Sequence, residues 1–163
     1  MIIFGVDPGT ARVGWAVIEK EKQHIRARAY GCITTRVEAP GTRLATIYTS
    51  IRALLRKHKP ECFVIEELFF AVNAKTVIPV AEARGVILLA ATQEHIPIAS
   101  YTPLAVKQTI SGYGRADKKQ MQRMVQLLLT LKTVPKPDDT ADALAIAMTH
   151  AYTKRFNDLS SRA

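Results

Sequence analysis

Acids stand at three places in this chain where a bare carboxylate is costly. Asp7 closes the apolar run Ile2-Ile3-Phe4-Gly5-Val6 and is followed by Pro8-Gly9-Thr10. Glu66 and Glu67 close a second apolar run, Cys62-Phe63-Val64-Ile65. Asp138, Asp139 and Asp142 stand just before and within Ala141 to Ala147, a run of small and apolar residues. Spacings of three (Asp139, Asp142) and four (Asp138, Asp142) both put two acids on one helix face, so the partner of Asp142 stays open. Capping explains some of these groups. Asp7 can close an Asx turn, and Asp138 or Asp139 can satisfy the free N–H groups of a helix start. Asp142 lies too far into the helix for that role. Carboxylates gathered from two strand ends and one helix repel one another and need a cation among them. Oxygen ligands with no Cys or His favour Mg²⁺ or Mn²⁺. Two such ions about 3.5–4 Å apart can activate a water and stabilise the leaving oxygen of a phosphodiester.

The composition agrees with that chemistry. The 163 residues carry 23 Lys+Arg against 14 Asp+Glu, a formal net charge of +9. A basic excess of that size favours a polyanionic partner, most simply nucleic acid. Hydrophobic residues make up 48% of the chain, enough for the core of one compact domain. No apolar run is long enough to span a membrane, and the start has no basic n-region or cleavage site, so neither membrane partner nor signal peptide is expected. Cys32 and Cys62, the two cysteines, fall on expected strands without ligand-like spacing, which points to reduced thiols in a cytosolic protein and away from zinc.

The elements that must position these acids follow from periodicity. Residues 2–6, 13–18 and 25–34 read as three strands of an antiparallel meander, the third alternating Arg26 and Arg28 with Ala27 and Ala29. Pro40-Gly41 breaks the chain. Leu44, Ile47, Ile51, Leu54 and Leu55 then recur as an amphipathic helix ending near Pro60. A crossover helix places the next strand, 62–65, parallel to the first, so Asp7 and Glu66 come to neighbouring carboxyl ends. Glu67 points to the opposite side from Glu66. A helix over 76–94 carries small residues (Ala81, Ala83, Gly85, Ala90, Ala91) that suit packing on the sheet or a homodimer seam. A fifth strand over 96–101, helices over 104–110 and 118–131, and a last helix over 143–152 complete an α/β fold. Its sheet is five-stranded and mixed, three antiparallel strands then two parallel, flanked by helices. One domain spans 1–152, with a flexible C-terminal tail over 153–163.

Taken in order, several stretches resemble one family. They are Asp7-Pro8-Gly9-Thr10 with Gly14-Trp15-Ala16-Val17-Ile18, Val64-Ile65-Glu66-Glu67-Leu68-Phe69, Ala83-Arg84-Gly85-Val86, Val106-Lys107-Gln108-Thr109, and Ala141-Asp142-Ala143-Leu144-Ala145-Ile146-Ala147. Together they resemble the RuvC family, bacterial Holliday-junction resolvases with a ribonuclease-H-like fold, from about residue 2 to 150. The resemblance implies metal-dependent endonuclease activity in homologous recombination and DNA repair, with two Mg²⁺ per active site and Mn²⁺ able to substitute. It implies Asp7, Glu66, Asp139 and Asp142 as metal-binding catalytic acids. Asp139 is preferred to Asp138 because the family places an acid or His three residues before the last Asp. Lys107 and Lys118 match basic positions near the family's site, Lys118 starting a helix beside the scissile phosphate. Phe69 matches an aromatic that stacks on bases near the crossover, worth about 1–3 kcal/mol per base; Phe70 or plain core packing are the other readings. Arg115, Lys119 and Arg123 would touch the DNA backbone, although an exposed basic helix face explains them too. The family further implies a homodimer with symmetric nicking, the RuvAB branch-migration complex as partner, and a cytoplasmic location.

Two other readings exist. Phe4-Gly5-Val6-Asp7-Pro8-Gly9-Thr10 also resembles the first phosphate loop of actin-like ATPases and sugar kinases, but those need a duplicated half that these 163 residues do not contain. A non-catalytic junction-binding protein would not need all four acidic positions filled.

Overall fold

A computed structural model describes residues 1–68 and 74–160. Strands β1 (Ile2–Asp7), β2 (Arg12–Glu21) and β3 (His24–Thr34) form the antiparallel meander. Helix α1 (Pro40–His58) crosses over to β4 (Cys62–Glu66), and α2 (Ala74–Gln93) to β5 (Ile98–Tyr101). β4 pairs parallel to β1, and β5 parallel to β4, giving the strand order β3-β2-β1-β4-β5. Helices α3 (Pro103–Ser111), α4 (Lys118–Leu128) and α5 (Asp138–Ser160) follow. The expected sheet, three antiparallel strands then two parallel, is the one observed.

Side-chain alternation divides the core in two. Phe4, Val6, Val17, Phe63 and Ile65 pack with Ile47, Ile51 and Leu55 of α1 and Ala83, Ile87, Ala90 and Ala91 of α2. Ile3, Ala16, Ile18 and Val64 pack with α3, α4 and α5 through Val106, Ile110, Met121, Val125, Leu144 and Met148. Because successive strand residues point to opposite faces, Asp7 shares the α5 face with Ile3 and Gly5. Glu66 shares that face with Val64.

Element ends differ from expectation in physically simple ways. Pro40 does not break the chain; it is the first residue of α1, where a missing N–H is harmless and a fixed φ suits the helix. Helix α4 ends at Leu128, before the expected 131, because Thr130 takes a left-handed backbone with φ 51°. Helix α5 runs to Ser160, past the expected end near 152, and no Pro or Gly stands between those points to stop it.

Candidate active site

Two glycines decide how close α5 lies to the sheet. A Cβ on Gly5 of β1 would stand 2.5 Å from the Ala143 carbonyl oxygen. A Cβ on Gly14 of β2 would stand 1.9 Å from the Asp139 carbonyl oxygen. Gly14 is paired with Asp7 across the β1–β2 ladder. With side chains absent at both positions, the α5 backbone rests directly on the strands, and Asp139 and Asp142 are brought to the end of β1.

Asp7, Glu66 and Asp142 line one cleft of about 270 Å³ together with Lys107, Lys118 and Met121. The first two acids come from neighbouring parallel strand ends, the third from the first turns of α5, and the lysines from α3 and α4. Thr102 caps α3 by accepting a bond from the Ala105 N–H at 3.1 Å. At α4, Asp117 and Gln120 form a capping box of 2.8 and 3.0 Å, which fixes the backbone of Lys118 as the first helical residue. Arg84 of α2 donates from Nε to the Glu66 carbonyl oxygen at 3.1 Å, holding the end of β4 in place.

The electrostatics are those of a pit with too much negative charge. Burial, then repulsion from Asp142, Glu66 and Asp139, raises the Asp7 carboxyl well above its ordinary range, against a smaller opposing pull from Lys118. Burial and Asp142 raise Glu66 to about 7, with Lys107 opposing. Burial also raises Asp142, offset in part by Lys118. Asp138 behaves oppositely: Lys118 lowers it, and their charged atoms stand 2.5 Å apart. Lys118 is 3.6 Å from Asp142.

Asp139 does not line the cleft. It faces Arg12, whose Nε is 3.3 Å from its Oδ2, and that buried oxygen makes no hydrogen bond. Arg12 also reaches Asp138 at 3.9 Å. Arg115, Lys119 and Arg123 are exposed on or near α4 and outside the cleft lining. Phe69 and Phe70 lie outside the described residues. Arg12, the role of Arg84 and the ion pair of Lys118 with Asp138 are absent from the sequence expectations. For Arg12 a signal existed: it shares the strand parity of Gly14, hence the α5 face, one turn from Asp7.

The donor set fits a hard divalent cation. Asp7, Glu66 and Asp142 are oxygen donors only, buried enough to resist ionisation without a counter-charge. Among the described residues no three potential ligands already surround a single point.

The raised acids make stability depend on pH in a defined direction. A carboxyl whose folded pKa exceeds its unfolded value keeps a proton in the native state that the unfolded chain releases, so stability falls as pH rises between the two values. For Glu66 that window runs from 4.5 to about 7. Metal-free protein is therefore expected to melt at lower temperature as pH rises through this window, and Glu66→Gln to flatten the slope. Mg²⁺ should restore more stability at pH 8 than at pH 5, since it binds the ionised acids. Thermal melts in EDTA and in Mg²⁺ check this; an unchanged slope in the Glu66→Gln protein would contradict it.

Comparison with known proteins places this arrangement. The family model for crossover junction endodeoxyribonuclease RuvC matches residues 3–150. The crossover junction endodeoxyribonuclease RuvC of Moorella thermoacetica is 55% identical over 152 residues, 93% of this chain and 91% of the relative. Among solved structures, Thermus thermophilus RuvC superposes with a TM-score of 0.88 at 34% identity, covering 96% of this chain and 97% of that one. The Thermus thermophilus RuvC structure in complex with Holliday junction substrate superposes with a TM-score of 0.86 at 32% identity, covering 96% of both chains.

Proposed function

The chain belongs to the RuvC family of crossover junction endodeoxyribonucleases, and on that premise we propose which of its residues hold the cation, the phosphate and the DNA. It is a Holliday junction resolving endonuclease of DNA recombination and repair, with a ribonuclease-H-like sheet. The phosphate-loop and non-catalytic readings fall away with that membership. The observation that carries the site assignment is the cleft shared by Asp7, Glu66 and Asp142 with Lys107 and Lys118.

Asp7, Glu66, Asp139 and Asp142 would hold two Mg²⁺, with Mn²⁺ able to substitute. When bound, the ions supply Lewis-acid stabilisation and an activated water for hydrolysis of a phosphodiester. Lys118 holds its ammonium at the cleft edge, where it balances the charge developing on the scissile phosphate. Lys107 partly offsets the burial and repulsion that raise the Glu66 carboxyl and adds a second positive charge facing the phosphate. The exposed Arg115, Lys119 and Arg123 hold flanking phosphates, each adding about −0.9 to the log-log salt slope of binding. Phe69 stacks on bases at the crossover. The nuclease domain is proposed as 1–152, with α5 continuing past that point to Ser160.

Two nicks on symmetric strands require two sites, which a homodimer supplies. Ala83, Ala90 and Ala91 are buried within the protomer, so the small residues of α2 chiefly serve internal packing. Its outward stripe is Ile78, Gly85 and Leu89; Ile78 is 67% and Leu89 49% exposed, and a Cβ on Gly85 would meet open space. That stripe is the proposed seam. RuvAB is the proposed partner on the junction. Among the described residues no helix is long and apolar enough to cross a membrane, and a cytoplasmic location is proposed.

A synthetic four-way junction and a linear duplex built from the same arms test the reading. Paired nicks in the junction, in Mg²⁺ and not in EDTA, are expected. Equal cutting of the duplex, or cutting that persists in EDTA, would overturn it.

A further inference from the structure

We propose that Asp138 is a positioning residue whose carboxylate draws the Lys118 ammonium toward the rim of the cleft and keeps it from closing fully on Asp142, where it would compete with a divalent cation. This rests on the assignment of Asp7, Glu66 and Asp142 to a cation site.

Lys118 is ion-paired with both acids, but unequally. Its Nζ is 2.5 Å from Asp138 Oδ2 and 3.6 Å from Asp142 Oδ2. Asp142 lines the cleft and Asp138 does not. The capping box fixes the backbone of Lys118, so the choice between the acids belongs to its flexible four-carbon stem. Asp138 is itself held from the far side. Its Oδ1 is 3.9 Å from Arg12, whose Nε turns to Asp139 at 3.3 Å. One carboxylate thus bridges two cations with different oxygens, and Arg12 and Lys118 lie on either side of it.

Without that acceptor, the nearest acid to the ammonium is Asp142. A lysine settled there neutralises a carboxylate that a divalent cation needs, and must be displaced before the cation binds. Asp138 removes this competition and leaves the ammonium beside the cleft, where a phosphate would meet it. The spacing to Asp142 is compatible with either Asp138 or Asp139 as its partner; the ion pairs divide the roles, Asp138 serving Lys118 and Asp139 facing Arg12.

The test measures Mn²⁺ binding to EDTA-stripped protein without DNA, by the loss of the free-ion electron paramagnetic resonance signal. Asp138→Asn is expected to weaken Mn²⁺ binding roughly fivefold, as for a coupled charge pair. Asp138→Glu should restore it to within about twofold of wild type. In a Lys118→Met background, Asp138→Asn should have no effect. Equal weakening with and without Lys118 would overturn the proposal, because Asp138 would then act on the cation itself. Unchanged binding in the single variant would also overturn it. Asp7→Asn serves as the separate control: wild-type Mn²⁺ binding there would refute the cation site, whatever the Asp138 cycle gives.

Discussion

Asp7→Asn is expected to lower junction cleavage by about 10³-fold or more while leaving junction binding near wild type. Metal-ion stabilisation is worth several kcal/mol, and about 1.4 kcal/mol corresponds to each factor of ten in rate. Asp7 is the most deeply embedded acid of the site, and Asp142, Glu66 and Asp139 all act on it electrostatically. The amide keeps the size of the side chain but removes the charge that a cation would bind. No basic residue proposed to touch DNA is altered, so affinity for the junction should persist. The same change should raise the melting temperature of the metal-free protein, because it removes a buried charge facing three others. Single-turnover cleavage, gel-shift binding and a melt in EDTA check the three parts. A variant that cleaves at the normal rate in Mg²⁺ would show that Asp7 holds no cation.

Gly14→Ala is expected to be the most damaging change that alters no charged group. Its Cβ would stand 1.9 Å from the Asp139 carbonyl oxygen, a backbone atom that cannot rotate away. Helix α5 must lift from β2, or the β1–β2 ladder must distort beside Asp7. Overpacking of this kind costs about 3 kcal/mol, or about 6–12 °C in melting temperature for a chain of this size. Cleavage should fall by about 10²-fold even well below the melting point, since displacements near 1 Å in a reacting constellation have that effect. Gly5→Ala, meeting the Ala143 carbonyl oxygen at 2.5 Å, should act in the same direction. Gly41→Ala in α1 meets nothing within 4 Å and should be nearly neutral. If Gly14→Ala melts and cleaves like wild type, the close seating of α5 is not what assembles the site.

The acids on the strands were legible because two simple rules located them. An apolar run ending in a carboxylate marks a strand end, and a helical crossover makes two such strands parallel, so Asp7 and Glu66 had to meet. Asp142 was legible because capping could not explain an acid that deep in α5. Spacing could not tell Asp138 from Asp139, since both offsets share a helix face; the ion pairs with Lys118 and Arg12 separate them. The strand parity of Arg12 is readable, but its role is not, because the carboxylates it meets, Asp138 and Asp139, come from the far end of the chain. The same holds for Gly5 and Gly14, which read locally as weak strand residues and turn out to be where a helix backbone touches the sheet. Arg84 escaped because a helix residue bonding a strand carbonyl leaves no periodic trace. The end of α5 is not legible from composition, because residues 153–160 are mostly polar yet contain no Pro or Gly to stop the helix.

The most direct measurement is anomalous diffraction from a crystal soaked in Mn²⁺. Peaks among the carboxylates of Asp7, Glu66 and Asp142 are predicted, with Asp139 turned toward them and Lys118 still held by Asp138. A well-soaked crystal of cleavage-competent protein whose Mn²⁺ peaks all lie away from these carboxylates would contradict the account.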